Sequence, residues 1–446
     1  MKKIFTLTLL IINIVTLGAF PLSAKTVDER LTELEEEVRV LKRLKEVEQD
    51  IDQRKDTDTP ALTAGEEGFI LKSKDGSFQL KLKGQVQGDS RYFAGDDTQT
   101  GTSTFLLRRV RPTLEGTVFK YFDFRIMPDF GGGTTTLQDA YINFKYWKQA
   151  SLRGGKFKSP VSLERLQSDP NSLFVENSLV SNLVPNRDVG VDLNGEFWKG
   201  ALSYDLALLN GVVDNGSADI DIHDDKDFAG RIFVLPFKNT EHDAVKKLGV
   251  GIGGSFGTAH GSTSSSQLPS YRSGGQQTFF SFASGVFADG IRSRIVPQAY
   301  YYYGPFGLLG EFAFSSQEVK RGVDAGTIKN SAWEIQTSYV ITGEDASYSG
   351  VAPRNNFDPR NGTWGAFEVA GRFGWLNADP SAFPLFASSL TSAQEAIAWT
   401  IGLNWYLNKN LKFATDFEET FFHSGGPAGG NREPENVILS RLQVAF

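Results

Sequence analysis

The chain contains no cysteine, which excludes disulfides and thiolate metal ligands alike. Histidine is nearly as scarce: His223, His242, His260 and His423 are the only four, and none has a metal-ligand partner at helical or hairpin spacing. No Ser-His pair or carboxylate pair stands at a spacing that argues for catalysis, so neither an enzyme nor a cofactor is expected. A dominant charge is also missing. The 46 basic and 53 acidic residues give a net charge of -7, which argues neither for a nucleic-acid partner nor for an anionic substrate. Beyond the first 24 residues the chain lacks any run of about 18 apolar residues, so no helix is expected to span a bilayer.

The one long apolar run is N-terminal. Lys2 and Lys3 precede an uncharged stretch from Ile4 to Phe20, and Leu22-Ser23-Ala24 offers a small-residue cleavage site. That order is the one expected of an export signal over residues 1–24, with the mature chain beginning near Lys25. From Asp28 to Asp52 the sequence is charged and helical. Leu31, Leu34, Val38 and Leu41 form a heptad seam, continued after a slip in register by Leu44, Val47 and Ile51. A helix docked on another surface and a short self-associating coiled coil both fit, and the second is favoured because nothing nearby supplies a surface to dock on. Gln53 to Glu67, with Pro60 and Gly65, reads as a linker, so that residues 25–67 make a coiled-coil segment and linker.

From Gly68 onward the period changes to two. Phe78, Leu80, Leu82 and Val86 alternate with Gln79, Lys81, Lys83, Gln85 and Gln87. The same alternation returns around Phe122–Phe130, Trp333–Ile341, Ile397–Trp405 and Leu411–Phe421, in segments long enough for tilted strands to cross a bilayer. At the C-terminus Ile438, Leu442, Val444 and Phe446 share one face up to the final carboxylate, as in strands that face lipid and end on an aromatic. A hydrophobic content of only 40% suits a barrel with a polar lumen.

Short connections at Phe119-Lys120, Trp198-Lys199-Gly200, Tyr303-Gly304-Pro305 and Asn408-Lys409-Asn410 alternate with long polar ones. The long ones are expected at Asn215–Asp225, Thr258–Gln277, Gln317–Asn330, Gly343–Asn361 and His423–Glu433, and all are expected outside the cell. About sixteen antiparallel strands over residues 68–446 follow, an all-β transmembrane barrel preceded by a coiled-coil helix. Trp147, Trp198, Tyr300 to Tyr303, Trp364, Trp375, Trp405 and Tyr406 are expected in aromatic girdles at the lipid interfaces.

With the apolar faces outward, Lys81, Lys83, Arg109, Arg111 and Arg125 point into the lumen, and Lys156 and Lys158 join them unless Gly154-Gly155 shifts the register. Arg108 falls outward with Leu106 and Val110 under strict alternation, and reaches the lumen only through a bulge or a strand end. Basic rings in a pore attract anions and phosphate. Glu115, Asp123, Asp129, Glu311, Glu334, Asp416 and Glu418 face inward too, however, and can pair with them. Lys158 to Asp188, with Leu163, Leu166, Leu173 and Phe174, is too apolar to extend into water, and reads as a partly helical insert folded into the lumen. The run Asp219-Ile220-Asp221-Ile222-His223-Asp224-Asp225 lacks the turn glycine and terminal glutamate of a calcium loop, and reads as a solvated loop. Gly261–Gln267 is serine-rich and reads as flexible.

A set of fragments then resembles the phosphate-selective porin O and P family across about Gly68 to Phe446. They are Ser77-Phe78-Gln79-Leu80-Lys81-Leu82, Phe105-Leu106-Leu107-Arg108-Arg109, Asp139-Ala140-Tyr141, Gly155-Lys156-Phe157 with Leu163-Glu164, Ile341-Thr342-Gly343-Glu344, Gly365-Ala366-Phe367-Glu368, Gly402-Leu403-Asn404-Trp405-Tyr406, and Arg441-Leu442-Gln443 near Phe446. The resemblance implies a trimer of sixteen-stranded outer-membrane barrels, each with an infolded third loop, an arginine ladder leading phosphate inward and a lysine cluster at the constriction. Arg108 and Arg109 match an arginine pair of that ladder, and Arg165, after Leu163-Glu164, stands where a constriction lysine is expected. Gln85 replaces a basic residue of phosphate-selective members, Asp123 replaces a lumen lysine, and the coiled coil is absent from the best-known members. These departures bear on specificity for phosphate.

The expected function is therefore an anion-selective porin for phosphate or polyphosphate. Its partners would be small anions, outer-membrane lipid and lipopolysaccharide, and two further copies of the chain. A weakly selective general or sugar-type porin remains open, as does a structural outer-membrane protein tethered to the cell wall through its coiled coil.

Overall fold

The computed structural model describes residues 26–58, 60–95, 101–221 and 224–446. The expected signal segment, residues 1–24, lies outside the described residues, as do Ile222 and His223. Two compact units divide after residue 59.

The first unit is a helix, α1 (Val27–Asp58). The Thr26 amide donates to Glu29 Oε2 at 3.0 Å, one half of a capping box. Leu31, Leu34, Val38 and Leu41 are all exposed along it. The helix runs past Asp52 into the expected linker, whose end forms a strand, Ala61–Gly65, paired in a hairpin with Gly68–Lys72 beyond it.

Among the described residues, eighteen strands form one antiparallel sheet, and sixteen of them close into a barrel. In chain order these are β1 (Gln79–Phe93), β2 (Thr104–Val118), β3 (Phe122–Asp129), β4 (Thr136–Trp147), β5 (Ala150–Lys158), β6 (Arg187–Phe197), β7 (Leu202–Leu209) and β8 (Asp227–Val234). The second half holds β9 (Leu248–His260), β10 (Phe287–Tyr303), β11 (Phe306–Arg321), β12 (Asp324–Val340), β13 (Ala366–Asn377), β14 (Ala393–Tyr406), β15 (Leu411–Ser424) and β16 (Glu435–Ala445). The Ala61–Lys72 hairpin is the remaining pair, joined to the start of β1 through Phe69↔Leu82.

Closure joins β16 to β1, with Gln443 opposite Gln87. Phe446 extends the seam by exchanging two backbone hydrogen bonds with Gly84, each 3.0 Å. A Cβ on Gly84 would lie 2.8 Å from the tip of the Phe446 ring, which would have to shift to admit a side chain there. The faces follow the alternation read from the sequence. Leu80, Leu82, Val86, Ile335, Ile401, Leu442 and Val444 are exposed outward, while Gln85, Gln87, Glu334, Arg441 and Gln443 are buried inward. Exposed apolar and buried polar side chains are the inverse of a soluble sheet protein, and are what lipid outside and a polar interior require.

Three expectations change. Gln317–Asn330 is not a loop: β11 and β12 continue through it, with Val319 and Ile328 inward, and only Gly322-Val323 turns the chain, Gly322 at φ 62. Missing that hairpin inverts the next assignment. Gly343–Asn361 leaves the same end of the barrel as the 304–305 and 407–410 turns and as Phe446, not the end bearing the long loops. The tyrosine run splits, because only every second residue of a strand faces out. Tyr303 is exposed with Trp147, Trp198 and Trp364, whereas Tyr302 and Tyr406 are buried inside.

Candidate solute pathway

Loop 159–186, between β5 and β6, crosses the lumen. Ser162 caps a single helical turn, α2 (Leu163–Leu166), its Oγ accepting from the Arg165 amide at 3.1 Å. Glu311 on β11 reaches the same turn and accepts from the Leu163 amide at 2.7 Å and Ser162 Oγ at 2.8 Å. Asp169-Pro170 opens a 3-10 turn, and a second one covers Leu179–Leu183.

The opposite wall receives the loop backbone group by group. Gln443 donates to the Pro170 carbonyl at 2.8 Å, Lys412 to Ser172 at 2.7 Å, and Asn404 to Leu173 at 2.9 Å. Asp416 accepts from the Val175 amide at 2.6 Å, and Arg372 donates to the Glu176 carbonyl at 2.9 Å. Each buried peptide group left unpaired would cost about 1–3 kcal/mol, so lumen polar residues are needed to hold an irregular loop there. The expected infolded insert is thus present, with Leu163 and Phe174 buried.

Two further segments enter the barrel, and neither was anticipated. Beyond the Ser-rich stretch, a hairpin (Ser270–Arg272 with Thr278–Ser281) buries Tyr271, Phe279 and Phe280 against Leu179, Val180 and Leu183. From the opposite end, Tyr348 of the 341–365 connection donates to the Leu163 carbonyl at 2.6 Å and stacks on Tyr300. The apolar core therefore lies inside the wall, between infolded segments.

Arg108 reaches the lumen through the first of its two expected routes, a bulge. Gln87 pairs with Arg109 and Gly88 with Leu107, leaving Arg108 as an unpaired bulge residue. Its guanidinium grips Glu176 of the loop in two bonds, Nε to Oε1 at 2.7 Å and Nη2 to Oε2 at 3.1 Å. Arg109 meets Asp169 at 3.3 Å, and Arg111 meets both Asp169 and Asp129, the latter at 2.7 Å. Arg125 lies between Glu115 and Asp139, Lys83 holds Glu115 at 2.7 Å, and Lys81 holds Glu67 at 3.3 Å.

The two predicted lysines of β5 separate. Lys156 pairs with Ala140 and Val189, on the face of the outward-pointing Ile142 and Val191, and its ammonium is held by Asp219. By register it leaves the lumen set, and Asp219 of the acidic run serves as its partner. Lys158, at the strand end, turns in with the loop and donates to the Gln167 carbonyl at 2.6 Å.

Sequence reading passed over Arg91, Arg372, Lys412 and Arg441. Arg91 joins Arg108 on Glu176 at 3.0 Å, and Arg441 grips Asp89 in two bonds of 2.7 and 2.8 Å. Their signal was available, because Arg441 alternates with Leu442 and Lys412 with Phe413. Most of the basic wall is acid-paired. Burial alone would raise the carboxyls of Asp169 and Glu176, but Arg109, Lys158 and Arg111 around the first and Arg108 on the second hold both below the usual carboxylate range.

Two cations differ. Among the described residues the Lys412 ammonium donates only to the Ser172 carbonyl, and the Arg165 guanidinium only to the Ser181 carbonyl and the Asn215 amide oxygen. Lys412 also lines a cavity of about 740 Å³ on the terminus-bearing side of the loop. Lys81, Lys83, Arg125 and Lys409 line it with Lys412, against two carboxylates, Glu66 and Glu67.

A family described as phosphate-selective porin O and P matches residues 80–446. No curated protein sequence matches the chain significantly. Among solved structures, the fold is similar to the outer membrane channel DcaP of Acinetobacter baumannii, with a TM-score of 0.55, 12% identity, and coverage of 86% of this chain and 100% of that one. OmpF of Salmonella typhi gives a TM-score of 0.51 at 12% identity, covering 83% and 98%. OprB of Pseudomonas putida gives 0.51 at 11% identity, covering 82% and 94%.

Proposed function

We propose, for a chain that belongs to the phosphate-selective porin O and P family, a diffusion pore of the outer membrane that favours small anions, with phosphate or polyphosphate as its solute. The observation that carries this reading is the cavity beside the infolded loop, lined by five cations of which Lys412 alone has no carboxylate within ion-pair distance among the described residues. An anion entering it would exchange part of its hydration shell for the ammonium of Lys412, whose hydrogen-bond partner is neutral. It would then pass the wall of Arg91, Arg108, Arg109 and Arg111, competing there with Asp169 and Glu176 for guanidinium N–H groups. Arg165 would add positive charge at the loop, beside Glu164 and Asp169.

The acid pairing of that same wall favours a second reading, a weakly selective general or sugar-type porin. Reversal potentials in planar bilayers separate the two, first in chloride and then with phosphate added. Strong anion selectivity with chloride current blocked by low phosphate supports the first reading. Weak or cation selectivity without block replaces it with the second.

The assembly is proposed to be a trimer in which α1 forms a short coiled coil. Its exposed seam of Leu31, Leu34, Val38 and Leu41 supports this. A double change, Leu34→Asp with Leu41→Asp, should lower the trimer fraction in chemical cross-linking. An unaltered fraction assigns assembly to the barrel wall instead. Loss of envelope integrity on deleting residues 27–52, with conductance intact, would point to a wall-tethering helix.

A further inference from the structure

Three buried carboxylates meet where α2 touches the wall. Glu164 comes from the loop, Glu311 from β11 and Glu334 from β12, and one oxygen of each lies within 4.8 Å of the others. Their residues are 8%, 4% and 3% exposed. Two of them are oriented by donors: Glu311 accepts from Ser162 Oγ and the Leu163 amide, and Glu164 from the Ser178 amide and hydroxyl, both at 2.9 Å. Glu334 is different. Both of its carboxylate oxygens are buried, and no N–H or hydroxyl of the described residues donates to either. Ser178 lies beside it, but has committed its hydroxyl to Glu164.

The cations at hand do not balance the group: Arg165 neighbours Glu164 but gives its N–H groups to Ser181 and Asn215. Arg372 stands 3.6 Å from Glu164 and gives its closer contact, 3.0 Å, to Glu418. Three acids brought together out of water require either protons or a bound positive charge. An all-oxygen donor set, with no histidine or thiolate, suits a hard cation that takes carboxylates and hydroxyls as ligands.

We propose that Glu164, Glu311 and Glu334 bind a divalent cation, Ca²⁺ or Mg²⁺, which pins the infolded loop to the barrel wall. The donors come from three separate elements, so one ion would tie the loop to two strands at once. Its charge would offset the carboxylates without drawing on the cations that face the solute, so the site is compatible with either porin reading.

The test uses full-length protein refolded without lipopolysaccharide, which itself carries divalent cations, and stripped with a chelator. Equilibrium dialysis against CaCl₂ or MgCl₂ should find one ion per chain, with a Kd of about 0.1–1 mM or tighter. Thermal unfolding should move up by several degrees as the metal saturates the site. Glu334→Gln should abolish both effects, while Asp243→Asn, an acid in an exposed turn, should leave both unchanged. Should Glu334→Gln fail to fold, Glu164→Gln on the loop reports the same loss. Absence of stoichiometric metal, or equal binding by wild type and Glu334→Gln, overturns the proposal and leaves the carboxyls protonated. Reversal potentials are read separately, so failure of the metal site is distinguishable from failure of anion selectivity.

Discussion

Replacing Lys412 by glutamine removes a charge that lines the vestibule and holds only a neutral oxygen. Consider an anion one hydration layer away, at about 7 Å. Its attraction to the ammonium is about 0.6 kcal/mol in a water-like dielectric and about 2.4 kcal/mol at the effective dielectric of a protein surface. Screening with a Debye length of about 10 Å at 0.1 M salt roughly halves both values. The anion then loses about 0.3–1.2 kcal/mol in the variant while a cation is relieved of the same repulsion, so the permeability ratio falls by about threefold to about fiftyfold. Water in the cavity favours the lower end. The assay is the reversal potential of the refolded protein under a KCl gradient, with Lys412→Arg as control because it keeps the charge and a donor for Ser172. A Lys412→Gln channel with normal conductance and an unmoved reversal potential refutes the assignment of Lys412 to the anion path.

Arg109→Gln and Arg165→Gln should each lower anion preference in the same assay without unfolding the barrel. Arg108→Ala leaves Glu176 with Arg91 but strips its two-bond partner. It should cost about 3 kcal/mol in urea unfolding, the low end for breaking a buried pair, and an unchanged midpoint would mean that this pair does not anchor the loop. Asp169 and Glu176 both titrate below the unfolded carboxylate value of about 4, so their stabilisation is complete above it and is lost as pH falls through their folded values. The thermal stability lost on Glu176→Gln should therefore be constant from about pH 7 to 5 and shrink below about pH 4, and a loss that already shrinks near pH 6 contradicts this pairing. Gly84→Val places a Cβ against the Phe446 ring. The crowded seam should lose about 1–3 kcal/mol, read as a lower temperature for loss of the compact form on gels, and no loss would mean that the ring turns aside freely.

The barrel was legible because its signal is local. A residue's face is set by parity, and parity survives as long as the strand is regular. That is why Lys81, Lys83, Arg109, Arg111 and Arg125 land inward as read, and why Ile438, Leu442 and Val444 land outward. The misplaced loops trace to one short turn. Gly322-Val323 is a turn of two residues inside polar sequence, and overlooking it placed the next long connection at the wrong end. The partners of lumen charges were not legible at all, because they depend on where irregular segments come to rest. Nothing near Asp169 or Glu176 in sequence says that they will face Arg109 and Arg108 across some 60 residues of chain.

Arg108 shows how the two levels meet. Parity alone sends a guanidinium into lipid, at a cost of several kcal/mol near the bilayer centre. The adjacent Arg109 occupies the inward position, so both can enter the lumen only if the strand gains one residue there. The pairing gives it that residue, since β1 continues from Gln87 to Gly88 while β2 passes over Arg108. The bulge is thus the structural consequence of placing two arginines in sequence on a lipid-facing strand. Glu176 then gives the displaced side chain its counter-charge and ties the loop to that wall. A bulge at this position and a carboxylate on the loop are therefore coupled requirements. Glu176→Gln should lower the stability of the wild-type barrel, but should cost less in a chain carrying Arg108→Leu, where only Arg91 remains to pair with Glu176. Equal costs in the two backgrounds, measured by urea unfolding as a double-mutant cycle, would show that the loop and the bulge are held independently.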